Sequence, residues 1–172
     1  MVPLNTIKSA LKIDYTTDDA DLLRLRDAVV ALVETHTGLS LCPKTVTQYL
    51  GGFTRARIEH APFISVDSVR YTSTAGTTVT MPTTDWVLIR KELPTVYLDF
   101  TKQPTAKDGT EVEVNLSVGY SKVPADLEHA IIALVGTFYE NPGSVQTING
   151  GGPLPMGAEF ILSNLRVRGS VS

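Results

Sequence analysis

The chain has 172 residues, of which 42% are hydrophobic and 19% charged, and 15 basic against 18 acidic side chains give a net charge of −3. This is the balance of one compact globular domain with enough chain to bury a core, and it excludes an intrinsically disordered polymer. No apolar run approaches the ~20 residues needed to span a bilayer, and the basic residues are scattered as Arg24/Arg26, Arg55/Arg57, Arg90/Lys91 and Arg166/Arg168 rather than gathered on a phosphate-gripping face.

The first element is a short helix from Pro3 to Lys12, with proline at its start and Leu4, Ile7 and Leu11 at helical spacing. A stronger helix follows. Asp18, Asp19 and Asp21 place negative charge at its amino end, and Leu22, Leu25, Val29, Leu32, Val33 and His36 fall on one face. Gly38 supplies a left-handed stop. Cys42, the single cysteine, precedes Pro43. With no partner for a disulfide or a thiolate metal site, it reads as a small buried hydrophobe.

From about Lys44 to Tyr120 the pattern turns to strands. Thr45–Leu50 is β-rich, and Val66–Thr72 and Thr77–Met81 flank the turn Ser73-Thr74-Ala75-Gly76. Trp86–Ile89 and Thr95–Leu98 are short apolar runs that read as buried strands, with Pro94 marking the break between them. Glu111–Tyr120 alternates cleanly. Val112, Val114, Leu116, Val118 and Tyr120 point to one side and Glu111, Glu113, Asn115 and Ser117 to the other, which predicts a half-buried antiparallel sheet.

Helix returns after Pro124. Asp126 and Glu128 make an acidic first turn, Leu127, Ile131, Leu134, Val135 and Phe138 an apolar face, and Asn141-Pro142-Gly143 a stop. A glycine-rich linker with Gly150-Gly151-Gly152 leads to a last short helix from about Met156 to Arg166. The expected fold class is therefore α+β: an N-terminal helix pair, a central antiparallel β-sandwich or barrel-like lobe, and C-terminal helices. Within one domain of 172 residues the segments are 1–42 (helices), 43–122 (β lobe), 123–141 (long helix), 142–155 (linker) and 156–172 (docking helix and tail).

The sequence offers no catalytic constellation and no cofactor or metal site. His36, His60 and His129 lack a second ligand at metal-binding spacing. No Gly-x-Ser-x-Gly elbow occurs, and the triple glycine is not followed by the Gly-Lys-Ser/Thr of a phosphate loop. Asn115-Leu116-Ser117 matches the glycosylation triplet, but the sequence shows no secretory signal, so the match is read as chance and the protein is expected to remain in the cytoplasm of the cell that makes it.

Several segments in order resemble the head–tail connector (adaptor or neck) proteins of tailed phages. They are Leu4 to Asp14, Asp18-Asp19-Ala20 with Leu22-Leu23, His36-Thr37-Gly38, Ala61 to Tyr71, Val118-Gly119-Tyr120, Val123 to Leu127 with Ala130-Ile131, Phe138 to Asn141, and Asn164 to Val167. The chain departs from the family at Pro142-Gly143 and in its glycine-rich linker. The resemblance implies a structural subunit, not an enzyme, of a ring, commonly a dodecamer, beneath the portal of the virion. Its implied partners are further copies of itself, the portal protein, a head-closure or tail-completion protein, and double-stranded DNA sliding unspecifically through the channel. A mildly acidic subunit suits such a channel. Arg24, Asp27, Glu34 and Glu128 are the expected subunit-interface residues, and Phe160, Ile161, Leu165, Arg166 and Arg168 the expected portal-docking residues. The alternatives are a head-closure or tail-completion protein and, from another class, a β-sandwich ligand-binding module.

Overall fold

The computed structural model describes residues 1–90 and 95–141. The described chain divides into a helical unit, built from residues 1–42 and 120–141, and a strand unit, Pro43–Gly119.

The helical unit holds α1 (Leu4–Leu11), α2 (Asp19–Thr37) and α3 (Ala125–Glu140). Pro3 stands at the N-cap of α1 in extended conformation, where its missing N–H costs nothing. Lys12 ends the helix with a left-handed φ of 57°, and the Ile13 N–H returns to the Lys8 carbonyl at 2.9 Å. Helix α2 ends as its sequence predicts. Gly38 takes φ 72° and donates to the Glu34 carbonyl, while the buried Thr37 hydroxyl donates to the Val33 carbonyl at 2.7 Å. The buried face differs in detail from the simple periodicity. Val30 and Thr37 are buried while Leu32 and His36 are only half-buried, because α2 packs on both α1 and α3 and its covered stripe widens. Helix α3 buries Leu127, Ile131, Leu134 and Phe138, each worth roughly 1.5–3 kcal/mol when removed from water. Gly136 lets α1 approach closely: a Cβ there would meet Leu11 Cδ2 at 2.8 Å. Cys42 is half-buried rather than buried, because Leu39 and Leu41 take the covered positions on that connection.

The strand unit contains β1 (Lys44–Leu50), β2 (Ala56–Arg57), β3 (Phe63–Thr72), β4 (Thr78–Thr80), β5 (Trp86–Arg90), β6 (Val96–Phe100) and β7 (Val112–Val118). They form two antiparallel sheets, ordered β1-β7-β3-β4 and β2-β6-β5, and neither closes into a barrel. One apolar cluster joins them. Val69, Val114 and Leu116 come from the larger sheet, and Val96, Leu98 and Phe100 from the smaller. Strand β7 lies at the centre of the larger sheet with perfect alternation of buried and half-buried positions. Its pairing with β1 runs the whole length, Lys44 opposite Val118 and Leu50 opposite Val112, so the first and last residues of the unit are neighbours. The β3–β4 turn is the predicted one, with Gly76 at φ 80° and its N–H on the Ser73 carbonyl.

Buried Gln48 ties the sheets together. Its Nε2 donates to the Arg57 carbonyl at 2.8 Å and its Oε1 accepts from the Glu59 N–H at 3.2 Å.

Candidate assembly surfaces

Acidic residues outnumber basic ones in the described part of the helical unit, and several of its charges are committed to holding it together. Lys8 donates to an Asp19 carboxylate oxygen and to the Tyr15 carbonyl, both at 2.6 Å. The Tyr139 hydroxyl, near the end of α3, donates to the Asp18 carboxylate and lies 2.9 Å from the Tyr15 hydroxyl. The bond to Asp18, then the one to Tyr15, push the Tyr139 hydroxyl well above the usual phenol range. The acidic start of α2 thus serves tertiary ties: Asp18 makes no side-chain bond to its own helix.

The expected interface residues are not equivalent. Arg24 is 72% exposed and loosely paired with Asp21 at 3.4 Å. Asp27 accepts from the neighbouring Arg26 at 2.8 Å. Glu34 is spent on the chain's own geometry, accepting from the Leu41 N–H at 2.6 Å. Glu128 lies on the first turn of α3, half-exposed. The structure places them on two helices and does not gather them into one cluster. Phe160, Ile161, Leu165, Arg166 and Arg168, with the linker before them, lie outside the described residues.

The strand unit shows two outward sheet faces of opposite character. On the larger sheet the register aligns Thr47, Asn115 and Ser68, and beside them Thr45, Ser117 and Ser65. Thr47 donates to Asn115 Oδ1 at 2.7 Å, and Asn115 Nδ2 donates to the Ser68 hydroxyl at 3.0 Å. Ser117 and Ser65 both donate to Asp67, at 2.7 and 3.0 Å. Two register shifts in β3, between Phe63 and Ser65 and between Val66 and Ser68, turn extra polar side chains outward. The face is a self-satisfied polar lattice, and Asn115, the asparagine of the glycosylation triplet, is held inside it. At its margin Tyr49 is 57% exposed.

The smaller sheet faces outward differently. Val87 and Ile89 of β5 stand opposite Asp99 and Tyr97 of β6, and Tyr97 stands opposite Arg57 of β2. Val87 is 45% exposed, and Arg55 lays its guanidinium 4.7 Å from the centre of the Tyr97 ring. Leu98 and Phe100 are buried in the cluster with Leu88 packed against it, whereas on the other side Ile89, Tyr97 and Asp99 are half-buried and only Val87 is exposed. At the end of β5's neighbourhood Asp85 is held below the usual carboxylate range, chiefly by the Lys102 ammonium bonded to it at 2.8 Å.

Among the described residues no three His, Cys, Asp or Glu side chains are placed to hold a metal ion, and no helix is long and apolar enough to cross a membrane. No protein-family profile and no curated protein matches the sequence.

Comparison with solved structures is decisive for the fold. A chain in the neck of an empty gene transfer agent (GTA) particle, with C6 symmetry, superposes with a TM-score of 0.76 over 99% of this chain and 92% of its own, at 21% identity. This is the fold of a GTA neck chain. A chain of the native GTA virion gives 0.77 at 21% identity, covering 99% of this chain and 92% of that one. A chain of the native GTA neck with C12 symmetry gives 0.70 at 21% identity, covering 100% and 95%. The α+β layout of helix pair, antiparallel lobe and following helix is thus shared along nearly the full length of each chain.

Proposed function

We propose that this chain is a structural subunit of the neck of a tailed phage or phage-like particle, acting as a head–tail connector (adaptor). Identical copies form a ring, a dodecamer in the virion, seated beneath the portal. The ring bridges the head to a head-closure or tail-completion protein and lets double-stranded DNA pass without gripping it. Its output is binding, with no bond-making step. The observation that carries the reading is the likeness, over almost the whole chain, to chains from symmetric GTA necks. The sequence resemblance to phage connectors points the same way.

The docking element is the C-terminal segment, with Phe160, Ile161 and Leu165 as apolar anchors and Arg166 and Arg168 for bidentate contacts to portal carboxylates. Assembly takes place in the cytoplasm of the host. Negative-stain imaging and co-sedimentation of the purified protein with portal test this reading. Rings on the portal are expected, and removal of residues 156–172 should leave the far-UV spectrum of the fold but abolish portal attachment. A chain that stays monomeric at all concentrations, with portal present, refutes the ring. A truncated chain that still co-sediments with portal refutes the docking element.

A further inference from the structure

We infer that neighbouring copies are joined edge to edge, the free side of strand β4 in one copy pairing with the free side of strand β1 in the next. The inference rests on the ring reading above and names the two surfaces that close it. Among the described residues β1 pairs with β7 alone and β4 with β3 alone. The four-stranded sheet thus ends on both sides in backbone N–H and C=O groups that another strand can take up.

Sheet edges that must stay single are guarded by charge, proline or a bulge. The borders of the smaller sheet are charged, since β2 holds Arg57 and β5 ends on Arg90. Those of the larger sheet differ. No charged side chain or proline occurs in residues 45–50 or 71–81, and the ladders of β1 on β7 and of β4 on β3 run without a register shift. Thr45, Thr47 and Tyr49 are exposed, as are Thr78 and Thr80.

Strand direction and side chains both select the pairing. The sheet alternates strictly, so β1 and β4 run in opposite senses, and β4 set beside the β1 of the next copy continues the antiparallel order with the same face outward. Every copy then keeps one orientation, as a ring requires, whereas β1 on β1 or β4 on β4 would invert alternate copies. Strand β4 is Thr78-Val79-Thr80, and β1 offers the same triplet at Thr45-Val46-Thr47. Antiparallel pairing puts Thr80 opposite Thr45, Val79 opposite Val46 and Thr78 opposite Thr47. The exposed threonines lie on the outward side. The half-buried valines lie on the inner side, where Val46 packs on the core and Val79 stands opposite Tyr71. Threonine pairs and β-branched pairs are favourable cross-strand neighbours, and no like charges meet.

Full-length protein carrying Cys42→Ser tests the joint, with portal added where rings need it. In that background T45C/T80C, and T47C/T78C for the adjacent pair, should give a ladder of linked copies on a non-reducing gel after mild oxidation with diamide. The two cysteines of one copy sit three strand spacings apart, about 14 Å, and cannot bridge each other. T45C alone and T80C alone should give no linked dimer. Charge supplies a second measurement, by light scattering. T45K/T80K sets lysine against lysine at every joint and should weaken self-association roughly fivefold, whereas T45K/T80E should restore it. Both positions are exposed, so the circular dichroism spectra should match the wild type. Rings in which neither double-cysteine variant links overturn the proposal, as does a linked dimer from either single cysteine, which would make the joint two-fold. Unimpaired assembly of T45K/T80K overturns it too. Wild-type protein that forms no ring, with portal or without, overturns the ring reading and the joint with it.

Discussion

Replacing Gln48 should uncouple the two sheets of the strand unit. The side chain is only 9% exposed and serves two backbone groups, the Arg57 carbonyl at 2.8 Å and the Glu59 N–H at 3.2 Å. Gln48→Leu keeps the approximate volume and deletes both bonds. Stranding a buried backbone group costs about 1–3 kcal/mol, and Glu59 is exposed enough for water to replace part of its loss. A net destabilisation of about 2–3 kcal/mol follows. With a urea m-value of about 1–2 kcal/mol/M, the midpoint should fall by roughly 1–3 M. The protein has one tryptophan, Trp86, half-buried against the core of the strand unit, so its fluorescence reports that unit's unfolding. Gln48→Glu separates the two bonds. It retains an acceptor for Glu59 but turns an oxygen toward the Arg57 carbonyl, and it buries a charge. Its folded-state carboxyl should therefore titrate above the usual range, so its deficit shrinks as pH falls and the carboxyl protonates, whereas that of Q48L does not. A Q48L midpoint within about 0.3 M of wild type would show that Gln48 is a bystander.

The Tyr139 hydroxyl predicts an alkaline effect. Its ionisation is raised in the folded state, so its contribution is complete below the unfolded phenol value of about 10 and is lost as pH climbs through the higher folded value. In an absorbance titration of the six tyrosines, the last step should vanish in Tyr139→Phe, and an unchanged last step would reject the bond to Asp18. Gly38→Ala should cost about 1–2 kcal/mol by forcing a Cβ into the left-handed conformation at φ 72°, and Gly38→Asn should cost less. Thermal melts followed at 222 nm distinguish them, and equal melts would mean the helix end relaxes.

The helices were legible because their signals are local. Pro3, Gly38 and Pro124 stand where the caps form, and the 3.6-residue apolar spacing identified most of the buried positions. Strand β7 was equally plain, since a central strand with one wet face must alternate. The start of β3 was not legible, because two bulges break its alternation and Phe63 to Ser65 follow no period of two. Nor was β2, too short to carry a pattern. The unbroken apolar run of β5 hid the exposure of Val87. The ties of Lys8 to Asp19 and of Tyr139 to Asp18 join side chains remote in sequence, which no local pattern encodes. Of the expected interface residues, Glu34 proved to be a backbone partner. The sequence supplies its charge but not the turn that brings Leu41 back to it.

The pairing of Lys44 with Val118 sets a thermodynamic link between parts of the chain that need share no contact. While β1 and β7 stay zipped, the segment leaving α2 and the segment entering α3 are tethered as if by a short turn. If that ladder melts, residues 43–119 become one long slack loop between the two helices. By the logarithmic dependence of closure entropy on loop length, this makes their association about 2 kcal/mol less favourable. The lobe thus acts as a clasp on the helical unit, and damage to its sheets should lower the helices' own melting temperature.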